Sequence, residues 1–257
     1  MRSALARSRK ERQGTEVVCE HVFRPLAHGV VSLLAPLRVP PPAVVVAATS
    51  AGLAAAFSLA RGHLLVAAGL IQLKTLLDNA DGQLARLTGR VTAFGRYLDS
   101  ECDLLVDAAL FAGVGRLTGN WVAAVAGFVA LTAILSVNFN LERLAAGRPA
   151  SWDGSVLGRA YGVLYGWQDR GIEWFVERRL RGADDEARRA YHDSRTVAVL
   201  ANMGMSTQLL VLGACIALGH PLVFVVVALA GLVLVGALFV RREALVNLDR
   251  EVVLEHR

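Results

Sequence analysis

Cysteine is scarce in this chain. The three residues of the type, Cys19, Cys102 and Cys215, lie far apart with no Cys-x-x-Cys. That pattern argues against a disulfide framework or a zinc site. Charge is scarce too: Asp, Glu, Lys and Arg make up 19% of 257 residues, against roughly 25% in an average soluble domain. The basic opening MRSALARSRKERQGTE is not followed by the short apolar core and small-residue cleavage site of a signal peptide. No module that interleaves basic and aromatic residues for nucleic acid is present either. The formal net charge of +5 therefore reads as basic segments that meet anionic lipid headgroups or fix topology.

Apolar residues are abundant, at 54%, and they come in runs long enough to cross a bilayer. Six runs, at 41–60, 64–86, 94–116, 121–142, 196–218 and 220–240, predict an all-α integral membrane protein with six transmembrane helices. A soluble bundle fits poorly, because HPLVFVVVALAGLVLVGALFV is apolar all round and has no polar face. If the N-terminus is cytoplasmic and the spans alternate, 24 of the 27 basic residues fall on the cytoplasmic side. Only Arg61 and Arg116 lie outside, and Lys74 lies within the second span. This positive-inside asymmetry predicts two cytoplasmic termini.

The chain reads as one domain over 1–257. Residues 1–40 form a cytoplasmic or interfacial segment, with apolar residues of 15–40 at mixed helical spacing around Pro25 and Pro36. The connection 143–195 carries Tyr161, Tyr165, Trp167, Trp174 and Phe175 among charges, as an interfacial helix does. Gly158, Gly162 and Gly166 recur every four residues there, which marks either a close helix approach or a loosely helical segment.

The second and third runs carry acids. Asp78 and Asp81 are an i,i+3 pair; Asp99 and Asp103 are an i,i+4 pair. Each pair shares a helix face, and the short link between the two runs makes the helices antiparallel neighbours. The four carboxylates then face one another at one depth, where burial without a positive partner is very costly. Hard oxygen ligands with no His or Cys nearby suit Mg²⁺, Mn²⁺ or Ca²⁺, and two facing pairs suit two ions set for displacement at phosphorus. Gly82 and Ala85 keep one helix face low, Gly95 thins the other, and Arg86 offers a donor fork for phosphate.

The spacing D-x2-D-G-x2-A-R-x8-G-x3-D-x3-D, filled by Asp78, Asp81, Gly82, Ala85, Arg86, Gly95, Asp99 and Asp103, resembles the signature of the CDP-alcohol phosphotransferases. Chance gives those eight residues at on the order of 10⁻¹⁰ per starting position. The resemblance implies transfer of an alcohol phosphate from a CDP-alcohol, usually CDP-diacylglycerol, to a second alcohol with release of CMP. It implies Asp78, Asp81 and Asp99 as metal ligands, with Asp103 near a second Mg²⁺ or Mn²⁺ ion and serving as general base. Gly82, Ala85, Arg86 and Gly95 fall at the CDP site, and Thr92 matches a Ser/Thr position that contacts the nucleotide. The segment PPAV at 41–44 aligns with a looser stretch of the CDP pocket, with Pro42 where Asn is frequent. Homodimers are common in the family.

Other polar residues have two readings each. Lys74 balances Asp78 or Asp107, or contacts substrate; Asp107 supports the site from behind or faces water. Asn138, Asn140, Glu142 and Arg143 line an acceptor pocket or mark the membrane interface. Arg143, Arg195, Arg241 and Arg242 bind a phosphorylated polyol acceptor, such as inositol phosphate or glycerol phosphate, or only set topology. Glu101 points away from its acidic neighbours. With His63 and His220 at the far membrane side and no activated Ser, Cys or His beside the acids, direct displacement is expected. The expected setting is the cell membrane, with the site facing the cytoplasm, a lipid donor entering sideways and a small alcohol acceptor entering from water. A CDP-polyol donor, or an ion pathway using the same acids, are the alternatives.

Overall fold

The computed structural model describes residues 14–181, 188, 191 and 193–255, with side chains described up to 244 except that of Ser194. Every regular element among the described residues is a helix, with no strand among them. A π-helical turn, Cys19–Phe23, runs into α1 (Arg24–Leu34). There follow α2 (Pro41–Ala60), α3 (Leu64–Leu87), α4 (Ala93–Thr118) and α5 (Trp121–Ala145). Two shorter helices, α6 (Val156–Leu164) and α7 (Gly166–Arg179), occupy the long connection. Then come α8 (Ser194–Ala201), α9 (Met205–Ala217) and α10 (Pro221–Glu255).

The ends of these helices follow from local chemistry. Prolines open α2 in its first turn, where a missing N–H is harmless. Thr92 caps α4 by accepting from the Gly95 N–H, and Asn120 caps α5 by accepting from the Ala123 N–H. Gly119, at φ 71°, closes α4 in the left-handed conformation.

By length and composition, Pro41–Ala60, Trp121–Ala145 and Pro221–Ala244 are able to cross a membrane, and Arg195–Ala201 with Met205–Ala217 is a fourth candidate bent by 47°. These are the apolar helices of a multi-pass membrane protein. The run expected at 196–218 is thus broken at 202–204, and the run at 220–240 belongs to one helix that continues to Glu255. Helices α3 and α4 have 24 and 26 residues, long enough for a hydrocarbon core about 30 Å thick. Their acids and bases set them apart by composition.

α2 holds α3 and α4 in place. Its Ala48, Ala51, Gly52, Ala55 and Ala56 are buried, and such small residues let helix backbones approach closely. A Cβ at Gly52 would meet the Val106 methyls at 2.5 Å, and one at Gly113 of α4 would meet the Ala56 carbonyl oxygen at 2.9 Å. α1 lies against α3 through Ala27, Val31, Ala80 and Leu84, tied by a hydrogen bond from Gln83 Nε2 to the Arg24 carbonyl. Overpacking this seam is expected to destabilise the bundle by about 1–3 kcal/mol. Gly113→Leu should therefore lower the unfolding temperature in detergent, and an unchanged transition would mean that the seam gives way freely.

Candidate active site

The acids come together because α3 and α4 run antiparallel from a link of only five residues, 88–92, with Gly89 at φ 67° turning the chain. Carboxylate oxygens of Asp78, Asp99 and Asp103 all lie within 4.8 Å of one another. Asp81 stands apart from this trio. It is buried, and its Oδ1 accepts from the N–H of Gly82. The structure thus brings together three of the four acids in one cluster.

A cation from the protein itself sits among them. Lys74, one turn before Asp78 and 2% exposed, donates hydrogen bonds to Asp78 Oδ2 and Asp103 Oδ1. The pairing expected with Asp78 or Asp107 is therefore made with Asp78 and Asp103. Breaking such a buried pair by removing one partner is costly, because the remaining charge stays desolvated.

Two cavities meet at this cluster. The larger, about 570 Å³, is lined by Asp81, Gly82, Ala85, Arg86, Thr92 and Gly95, with Pro41 and Pro42 at the start of α2. Arginines 24, 90, 96 and 148 also border it. The smaller, about 330 Å³, is lined by Asp103, Asp107, Thr132, Ser136, Tyr161, Tyr165 and Asp169, among others. Asp78 and Asp99 line both; Asp81 lines only the larger and Asp103 only the smaller. Glu101 lines neither. On the larger side, Arg86 folds back over Gly82, where a Cβ would lie 3.3 Å from its guanidinium nitrogens. Thr92 Oγ1 accepts the Gly95 N–H at 3.0 Å, so one hydroxyl both starts α4 and faces the cavity.

The long connection forms the outer wall. Tyr97 of α4 stacks with Tyr161 at 5.4 Å between ring centroids, and Tyr161 with Tyr165 at 4.9 Å. Tyr165 donates to the Ser100 carbonyl at 3.1 Å, and Tyr97 accepts from the Asp153 N–H at 3.0 Å. Burial, with the charge of Asp169 beside Tyr161 and those of Glu101, Asp103 and Asp107 beside Tyr165, holds both phenols above their ordinary pKa. They remain hydroxyl donors. The glycine ladder serves neither a helix approach nor looseness: added Cβ atoms at Gly162 and Gly166 would strike the Trp152 ring at 2.6 and 2.9 Å.

Several residues outside the motif hold this arrangement. Asn79 donates to the Thr75 carbonyl and to Ser206 Oγ and accepts from Cys19 Sγ, linking α3 to α9 and the N-terminal turn. Asn140, fully buried, donates to Asp169 at 2.8 Å and accepts from Arg143 Nη2 at 2.9 Å. Arg143 also donates to Glu173 and to the Arg148 carbonyl. None of the four arginines expected near an acceptor borders either cavity. Arg143 braces the connection and Arg241 pairs with Asp193 at 3.3 Å. Arg242 is buried with its guanidinium 5.1 Å from the centre of the Tyr191 ring. Arg195 is exposed and borders neither cavity. The sequence marks Asn140 as an acceptor-pocket or interface residue but carries no signal for its partner Asp169, which lies 29 residues away and meets it only in three dimensions.

The profile of the CDP-alcohol phosphatidyltransferase family matches residues 39–167. Among similar proteins, the bifunctional IPC transferase and DIPP synthase of Rubrobacter xylanophilus is 35% identical over 100 residues, 39% of this chain and 22% of that protein. The phosphatidylinositol phosphate synthase of Mycobacteroides abscessus is 32% identical over 99 residues, 38% and 45%. The archaetidylinositol phosphate synthase of Methanothermobacter thermautotrophicus is 35% identical over 86 residues, 34% and 43%. The matches thus span less than half the length of these relatives.

The donor set of Asp78, Asp99 and Asp103, all oxygen and close together, fits a hard divalent cation. Lys74 competes for two of those ligands. Lys74→Met is expected to lower the unfolding temperature without divalent ions and to enlarge the rise on adding Mg²⁺. Thermal unfolding in detergent measures both; a Mg²⁺ response equal to that of the unaltered protein would show that the lysine and the cation do not share the site.

Proposed function

The chain belongs to the CDP-alcohol phosphatidyltransferase family, and from that premise we propose that it transfers a phosphatidyl-type group from a CDP-alcohol to the hydroxyl of an acceptor alcohol, releasing CMP. The observation that carries the reading is the division of the carboxylates between two cavities that meet at Asp78 and Asp99. In-line displacement at phosphorus needs entering and leaving oxygens on opposite sides. A reaction centre between two cavities gives each substrate its own side.

The larger cavity takes the CDP moiety. Gly82, Ala85 and Gly95 keep its walls low, Thr92 offers a hydroxyl, and Arg86 donates to phosphate oxygens. Asp103, on the opposite side, accepts the proton of the attacking hydroxyl. The hydroxyl oxygen bonds to the phosphorus that carries the donor alcohol as the bond from that phosphorus to the CMP oxygen breaks. Asp78, Asp99 and Asp103 would hold Mg²⁺ or Mn²⁺, which when bound neutralises pyrophosphate charge and steadies the leaving CMP. Asp81, on the donor side, is the candidate ligand for a second ion.

CDP-diacylglycerol is the proposed donor, and an inositol phosphate-like polyol the proposed acceptor, in keeping with the inositol phosphate lipids named for similar proteins. The same reading has six spans in the cell membrane, α1 at the interface, cytoplasmic termini and a cytoplasmic site, supported by the distribution of basic residues. A homodimer, usual in the family, belongs to it as well.

CMP release from CDP-diacylglycerol by the purified protein, with Mg²⁺ and a panel of polyol acceptors, tests the proposal. Release should require one acceptor, and Asp103→Asn should slow turnover by about 10²–10⁴-fold, the usual contribution of a general base. Near-normal turnover in that variant would remove Asp103 from the role. Absence of release with every acceptor, in protein that still unfolds cooperatively, would overturn the choice of donor.

A further inference from the structure

The smaller cavity is unlike the larger in its chemistry. No Lys, Arg or His is among the residues that line it, whereas five arginines line the larger one. Its polar wall consists of carboxylates, hydroxyls and one amide. Two of those groups lack partners: Asp107, 3% exposed, has its Oδ1 buried without a hydrogen bond, and so has Thr132 its Oγ1. Lys74 donates to Asp78 and Asp103 rather than to Asp107. A buried carboxylate oxygen without a donor is costly, so the cavity is built for something that brings hydrogen-bond donors. The remaining wall is the connection, where Asp169 is held by Asn140 and Tyr161.

Resting on the transfer reading above, we propose that this cavity is the acceptor subsite and that it receives the uncharged, polyhydroxylated part of the acceptor. Asp107 and Thr132 bind hydroxyls of the acceptor that do not react. An anion beside Asp107 would face a carboxylate oxygen that neither Lys74 nor any other donor pairs; a hydroxyl group satisfies it. Any phosphate on the acceptor stays outside the cavity, on the side where Arg96 and Arg148 border the larger one. The volume of about 330 Å³ is at the small end of ligand pockets, which run about 300–1,000 Å³, and suits one sugar-sized ring. The hydroxyl left facing Asp103 is the one that gives up its proton and forms the new bond to phosphorus.

Binding and turnover together test this. Thermal stabilisation of the full chain by inositol and by inositol phosphate, without donor, is compared with stabilisation by CDP. Each is measured in the unaltered protein, Asp107→Asn and the near-isosteric Thr132→Val; KM for acceptor and for CDP-diacylglycerol is measured alongside. The expected result is a loss of about tenfold in apparent affinity for the polyol in both variants, with the response to CDP and the donor KM unchanged. Two results overturn the proposal: no polyol stabilises the unaltered protein, or both variants keep full polyol affinity. If Asp107→Asn is too unstable to purify, Thr132→Val alone decides the matter. If polyol binding depends on these residues yet no CMP is released, the transfer reading falls while the subsite stands.

Discussion

The ammonium of Lys74, held between Asp78 and Asp103, is buried in a cluster of carboxylates. Three carboxylates within 4.8 Å repel one another, and removing each from water costs several kcal/mol. Lys74 offsets part of that cost but reaches only two of the three. The helix pair must therefore be held by something stronger than its own polar face. The small-residue side of α2 supplies this, packing along both α3 and α4, and the five-residue link fixes their register. Apolar packing at one level of the bundle allows polar strain at the next.

Charge around the cluster is sorted by side. Arginines border the larger cavity, where a pyrophosphate would need them, while acids and hydroxyls border the smaller. Asp78 and Asp99 belong to both, so a group bound between the cavities touches the same two carboxylates from either direction. This sorting separates the site from an ion pathway, in which acids would be spread through the depth of several helices.

Much of this was legible in the chain. The spacing of Asp78, Gly82, Arg86, Gly95 and Asp103 places residues on helix faces by a fixed period, and the helices expected at 41–60 and 64–86 lie at Pro41–Ala60 and Leu64–Leu87. What was not legible depends on side-chain direction or on contacts far apart in sequence. The period puts Asp81 on the face of Asp78, but does not show the rotation that turns it to the larger cavity alone, nor its bond with the Gly82 N–H. The arginines at span ends satisfy a topology rule whatever they touch, and only the packed structure shows them bracing the connection or pairing with Asp193. The glycines at 158, 162 and 166 carry a helix-packing pattern, yet their partners are Asp153 and Trp152, in the non-helical stretch that precedes α6. The break at 202–204 falls at Asn202, Met203 and Gly204, a short polar dip that a window long enough to find a span averages away.

The tyrosine-stacked connection has one consequence for how such a protein diverges. The clustered acids lie on α3 and α4, whose backbones are pressed against α2 and tolerate little change. Tyr161, Tyr165 and Asp169 come from a segment outside the long apolar helices, and the family profile ends at residue 167, inside that segment. On the proposed reading, the reacting groups sit on α3 and α4, while one wall of the second cavity comes from a separate part of the chain. A lineage could rewrite that wall, and with it part of the fit to a second substrate, while the acids of α3 and α4 stay as they are.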